Sequence, residues 1–258
     1  MSLFGYKDLE KFKEECGYMI DDVWYPRVTK IIGIKSKPAL LYFYGEAKSY
    51  KHAHDISQKS AEEGTRVHEV SQAMLLGQNP EVDEDIRPAI EAFQRFMAEK
   101  KVETSAEYIE RRIVNREHRY AGTIDALALI DGKFGVMDIK TSQAIYRDYD
   151  LQTSAYMDSL KDEFPHLQTR WILRIDQRQL CVSCGSIRRT KGGREKVKRN
   201  FGNGVRTCPD VMHQWGPVEG EVEFKEMPFW QSDFQGFLAA KKLWEWENES
   251  WLKKVGYL

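Results

Sequence analysis

The sequence predicts an α/β (α+β) fold, a central mixed sheet flanked by helices, and three observations carry that prediction. Two apolar stripes at helical spacing come first, Val67, Val70 and Met74, then Ile86, Ile90, Phe93 and Met97. Between residues 107 and 142 the texture turns to β-formers broken by turn residues. A helical stretch, another apolar strand and a final helical stripe then follow. Elements in this order build one sheet with helices packed on it. The 258 residues can bury one substantial core and show no internal repeat, so a single domain spanning residues 1–258 is expected.

In chain order, β-formers flanking Asp21-Asp22 predict a short hairpin, and Lys37-Pro38 interrupts the chain before a helical section opening at the aromatic cluster Tyr42 to Tyr44. Ser60 and Glu63 have capping-box spacing and predict a helix over residues 60–76 with His68 near its middle. A second helix is expected over 83–100, with Pro88 in its first turn. Strands follow at 107–115, 120–130 and 134–142, the last two joined by Asp131-Gly132, the strongest hairpin signal in the chain. Residues 150–160 read as a helix, 170–175 as a buried strand and 218–227 as a further strand. The tail from Ser232 to about residue 254 carries Phe234, Phe237, Leu238 and Trp244 on one helical stripe.

Charge nearly cancels, with 39 Lys+Arg against 40 Asp+Glu, which excludes a uniformly basic coating protein. The asymmetry is local. Residues 181–216 read as an inserted subregion, and between Gly185 and Arg206 the bases Arg188, Arg189, Lys191, Arg194, Lys196, Lys198, Arg199 and Arg206 face a single acid, Glu195. A glycine-rich, mobile basic loop of this kind suits contacts with a phosphate backbone. No apolar run approaches the roughly 18 to 20 residues that cross a bilayer. The N-terminus lacks an apolar signal core, and four cysteines are too few for a disulfide scaffold, so an intracellular, cytoplasmic chain with no membrane partner is expected.

The chemistry centres on Asp125 and Asp138, in consecutive strands across the Asp131-Gly132 turn, and on Lys140, which strand alternation puts on the face of Asp138. Two carboxylates and a lysine suit a hard divalent cation such as Mg²⁺ or Mn²⁺ and an activated water, and the Ile139 backbone carbonyl is a further candidate ligand. Alone, a D-x-K triplet is more often the charged end of a solvated hairpin. Its company separates the two readings: Gly64-Thr65-Arg66-Val67-His68-Glu69, Tyr120-Ala121-Gly122-Thr123-Ile124-Asp125, Asp138-Ile139-Lys140-Thr141-Ser142 and Gln152-x-x-x-Tyr156 occur in that order.

Together these motifs resemble the RecB-type branch of the PD-(D/E)XK nuclease superfamily, which includes the nucleases of CRISPR adaptation. The resemblance covers about residues 18–175 and a C-terminal helix. It implies a restriction-endonuclease-like core and metal-dependent cleavage of DNA, acting as an exonuclease on ends or single strands in recombination, repair, replication or phage DNA processing, beside a helicase or recombination partner. It further implies that His68, Asp125 and Asp138 hold the metal, that Lys140 is the catalytic lysine, and that Gln152 and Tyr156 contact substrate near the scissile phosphate. Glu110 matches an acidic position loosely, and Glu107 competes for it. Two rivals share the motifs, a non-catalytic nucleic-acid-binding module on a nuclease fold and a structure-specific endonuclease.

Cys181 and Cys184 form C-x-x-C, followed by Cys208 and His213. A structural zinc site of three thiolates and an imidazole is one reading, because closing the ends would organise a loop too polar to fold alone. An iron–sulfur cluster on Cys16, Cys181, Cys184 and Cys208, as in some relatives of the nuclease branch, is the second. Plain thiols are the third.

Overall fold

The computed structural model describes residues 6–200 and 208–258, so Arg206 lies outside the described residues. The chain forms α1 (Leu9–Cys16), β1 (Gly17–Ile20), β2 (Val23–Pro26), α2 (Val28–Ile32), α3 (Pro38–Glu46), α4 (Tyr50–Leu75) and α5 (Arg87–Lys100). Then come β3 (Ile109–Asn115), β4 (Tyr120–Ile130), β5 (Lys133–Lys140), α6 (Asp148–Leu160), β6 (Thr169–Cys181), β7 (Ile187–Lys191), β8 (Arg194–Lys198), β9 (Trp215–Glu226), α7 (Gln231–Glu247) and α8 (Glu249–Lys254). Among the described residues no helix is long and apolar enough to cross a membrane.

The mixed sheet has seven strands among the described residues, in the order β3-β4-β5-β6-β7-β8 with β9 also on β6, and helices flank it. At the hairpin between β4 and β5, Asp131 and Gly132 both take positive φ (51° and 78°), as a type I′ turn requires. β5 and β6 run parallel from Gly135–Thr169 to Lys140–Arg174, with α6 as the crossover. β9 lies antiparallel along the other edge of β6. Since Gln179 pairs with both Val218 and Arg188, β7 must occupy the edge that β5 uses, just past the point where β5 ends at Lys140.

Two apolar cores hold the layers. On one side, Phe12, Trp24, Ile31, Tyr156, Phe237 and Trp244 pack α1, α2, α6 and α7 against sheet residues such as Val136. On the other, α4 and α5 bring Val67, Ile90 and Phe93 onto Met137, Ile139 and Trp171. Met137 and Ile139 thus face α4 and α5, and Asp138 and Lys140 face α6.

The structure departs from the sequence reading in three places. α4 begins at Tyr50, not residue 60: Ser49 caps it by accepting from His52 N at 3.1 Å, and Ser60 lies mid-helix, donating to the Ile56 carbonyl. Its first turns bury Ala53 alone before Gly64, so they carry no apolar stripe to read. The tail is two helices joined at Asn248. Within residues 181–216, the expected mobile basic loop is instead the β7–β8 hairpin, paired in register from Ile187–Lys198 to Lys191–Arg194. Ion pairs and polar contacts replace the missing apolar face: Arg189 pairs with Asp176, Arg194 with Glu46 and Arg199 with Asp210, while Lys191 donates to the Thr141 carbonyl.

Candidate active site

Strand pairing positions the acidic pair. The β4–β5 ladder ends at Ala126–Met137, and the next residue on each strand is Asp125 and Asp138. There β5 leaves β4 and stays paired with β6. The Asp125 carboxylate caps the opening by accepting from the Ile139 N–H at 2.5 Å. Helix α4 presents His68, whose Nε2 lies 3.3 Å from Asp125 Oδ1. Glu110 stands level with Asp125, between the pairs Ile109–Ala126 and Arg111–Ile124, on backbone bent to φ 50°. One ligand atom each from His68, Glu110 and Asp125 fall within 4.8 Å of one another.

Asp138 is fully buried. Its Oδ1 accepts from Gln152 Nε2 at 3.0 Å, and the same Nε2 donates to the Tyr156 hydroxyl at 2.9 Å. Lys140 Nζ pairs with Oδ2 at 2.6 Å. Gln152 is 7% exposed and Tyr156 1%, and the pair reaches Asp138 through the Gln152 amide.

Close packing explains part of the GTRVHE motif. A Cβ on Gly64 would come within 2.5 Å of Thr141 Oγ1, so glycine lets α4 approach the end of β5 and carry His68 in.

The electrostatics follow from burial and crowding. Burial pushes the Asp138 carboxyl up to about 6, aided by Asp125 and opposed by Lys140. Burial also opposes ionisation of Asp125, but the His68 hydrogen bond and the Lys140 charge outweigh it and hold the carboxyl below its usual range. The Asp125 hydrogen bond raises His68. Burial and the Asp125 charge raise Glu110. For Lys140, burial is outweighed by Asp138 and Asp125, so the ammonium is stabilised. A concentration of carboxylates with an imidazole at hand fits a hard divalent cation.

The sequence reading left Glu110 and Glu107 in competition; Glu110 joins the cluster, and Glu107 sits in a short turn outside it. Tyr149, with its ring 5.1 Å from Lys140 Nζ, was not singled out, since nothing local distinguishes it from any helix tyrosine.

A second group, of softer donors, lies at the far end of β6. Cys181, Cys184, Cys208 and His213 bring their ligand atoms within 4.8 Å of one another. Cys184 Sγ is 3.5 Å from His213 Nδ1. Burial opposes the Cys181 thiolate, but the backbone N–H groups of Ser183, Cys184 and Gln214 prevail and bring its pKa to about 7. The four-thiolate alternative is corrected: Cys16 lies in the helical core and donates to the Tyr6 hydroxyl, so the described residues assemble three thiolates and an imidazole.

The basic residues lie along the hairpin. Arg188 donates to Gln179 and stacks 4.7 Å over Trp215, and Lys196 reaches Gln143, while Lys196, Lys198 and Arg199 are exposed. Arg189 and Lys191 help line a pocket of about 360 Å³ with Ser60, Lys140 and Tyr149.

No protein-family model matches the chain, and no curated protein matches it. Among solved structures the chain is similar to one described as the crystal structure of LHK-Exo in complex with dAMP, at 11% identity over 90% of this chain and 93% of that one, with a TM-score of 0.34. At that level of likeness the reading of the site rests on its own geometry.

Proposed function

We propose that this chain is a metal-dependent DNA nuclease of the PD-(D/E)XK, RecB-like kind, an exonuclease hydrolysing phosphodiester bonds in DNA recombination, repair, replication or phage DNA processing. The observation that carries the reading is the meeting of Asp125, Asp138 and Lys140 where β4 and β5 part, with His68 and Glu110 against Asp125. His68, Glu110, Asp125 and Asp138 would hold Mg²⁺ or Mn²⁺, with the Ile139 carbonyl as a further donor. When bound, the cation supplies Lewis-acid polarisation of a phosphoryl oxygen and lowers the pKa of a coordinated water.

The chain's own residues divide the remaining work. Lys140, kept as an ammonium by two carboxylates, donates toward the charge that develops on the phosphoryl oxygens. Gln152 fixes the rotamer of Asp138, Tyr156 fixes Gln152, and Asp125 orients the His68 ring. Gln152 and Tyr156 are therefore positioning residues. Arg188, Arg189, Lys191, Arg194, Lys196, Lys198 and Arg199 form the basic hairpin proposed to run along the DNA backbone. The Cys181, Cys184, Cys208 and His213 group is proposed to hold zinc, whose preference for thiolate and imidazole it matches.

The test is digestion of end-labelled linear and circular DNA, single- and double-stranded, with Mg²⁺, Mn²⁺ or EDTA, for the native protein and Asp138→Ala. Metal-dependent loss of linear DNA with circles spared, absent in Asp138→Ala, is expected. Cutting of circles would indicate an endonuclease, and binding without cutting under every metal condition would replace catalysis by a binding role.

A further inference from the structure

We infer that zinc at Cys181, Cys184, Cys208 and His213 is the lock that holds the β7–β8 hairpin against the active-site pocket. The hairpin has no core of its own: every residue of β8 is exposed or partly so, and β7 buries none fully. Past its two-residue ladder to β6 it is a two-stranded ribbon, marginal in water and held along its length by polar contacts. Further anchoring lies at its base. The turn that carries Cys181 and Cys184 closes through the Gly185 N–H on the Cys181 carbonyl and the Cys181 N–H on the Ser186 carbonyl, both at 2.8 Å, and leads directly into β7. Asn200, just past β8, donates to the Cys184 carbonyl, and Arg199 pairs with Asp210 near Cys208. From the fourth donor, the His213 ring stacks 4.7 Å from Trp215, and Trp215 lies under Arg188 of β7. Both strands of the hairpin and the start of β9 thus converge on the four donors. Binding zinc there releases the thiol protons to solvent and ties three segments that few apolar contacts join.

The other end of the hairpin touches the proposed catalytic machinery. Gly192 lies so close to α4 that a Cβ there would meet Ser60 Oγ at 2.2 Å and the Ile56 carbonyl at 2.4 Å. The Gly192 N–H donates to Glu63, one turn before His68 on α4, and Lys191 donates to the carbonyl of Thr141, which follows Lys140. Zinc at the base therefore sets where Arg189 and Lys191 wall the pocket beside Lys140 and where exposed Lys196 and Lys198 stand. The DNA part of this inference rests on the nuclease reading; the zinc part does not.

The experiment uses the full chain, purified without a metal-affinity tag or chelator. Plasma mass spectrometry is expected to find one zinc per chain, absent from Cys184→Ser and Cys208→Ser, and cobalt in its place is expected to give thiolate charge-transfer and tetrahedral d–d bands. Amide exchange across residues 187–198 is expected to accelerate on zinc removal, with core helices still protected. In Ca²⁺, affinity for a single-stranded oligonucleotide is expected to fall by about tenfold or more in Cys184→Ser. Gly192→Val should retain zinc yet lose the same affinity, which separates undocking from misfolding at the metal. Native protein without zinc, or with iron and cluster absorption, would overturn the site. Unchanged exchange on zinc removal, or unchanged DNA affinity in both variants, would overturn the lock. If the native protein neither binds nor cuts DNA, the nuclease reading fails, while zinc content and exchange still decide the lock.

Discussion

Burial works against the Lys140 ammonium, yet Asp138 and Asp125 outweigh it, so in the proposed nuclease the side chain serves as a donor rather than a base. Lys140→Ala is accordingly expected to lower kcat by about 10²- to 10³-fold with DNA affinity in Ca²⁺ nearly unchanged, read from single-turnover cleavage and equilibrium binding. In the same proposal Gln152 acts one step back, through its hydrogen bond to Asp138. Gln152→Ala should weaken Mn²⁺ binding by about 10- to 100-fold, measured calorimetrically, because the released carboxylate must be ordered again on binding. Asp138 also sets a pH dependence. A carboxyl raised from 3.8 to about 6 in the fold contributes stability that is complete below 3.8 and lost as pH rises through about 6. His68, also raised, acts in the same direction. In EDTA, Tm is expected to fall as pH rises through about 6, with a shallower slope in Asp138→Asn. Asp138 and Lys140 were readable because alternation fixes their common face within three residues. Glu110 was legible only as a loose match in competition with Glu107, since its place beside His68 depends on a positive φ and on the register with β4.

Helix α4 shows what periodicity can and cannot mark. Its apolar half, with Val67, Val70 and Met74, was legible, while the half from Tyr50 to Ser60 was not, having little apolar face to register. The helix is positioned by contact with β5, and that contact depends on Gly64. Gly64→Val is expected to preserve helix content by circular dichroism and reduce cleavage by about 10²-fold, because displacing α4 by even 1 Å moves His68 away from Asp125. The β7–β8 hairpin is the opposite case. Its composition pointed to a solvated loop, since nothing apolar alternates along it. Asp176 on the neighbouring β6 and, far away in sequence, Glu46 and Thr141 supply the partners that order it.

Strand β6 integrates the molecule, carrying β5 and β7 on one edge and β9 on the other while both cores close over the sheet. Arg170 at its start is fully buried and donates to the carbonyls of Asp150, Met227 and Phe229 as well as to Asp233, joining α6 and the approach to α7. Arg170→Ala strands these acceptors, and urea unfolding is expected to show a loss of about 3 to 5 kcal/mol. Arg170→Lys should recover little of it, since an ammonium cannot match the guanidinium fork. The α/β class, the Asp131-Gly132 turn, the D-x-K triplet and the grouping of Cys181 with Cys184 could all be read along the chain, because each depends on backbone geometry within a few residues. Which edge of β6 receives β7, that Glu110 rather than Glu107 joins His68 at Asp125, that Gln152 points inward and that Cys16 stands apart from the other cysteines could not. Those outcomes come from strand register and from helices packing across the sheet, where residues many positions apart become neighbours and no local period encodes the contact.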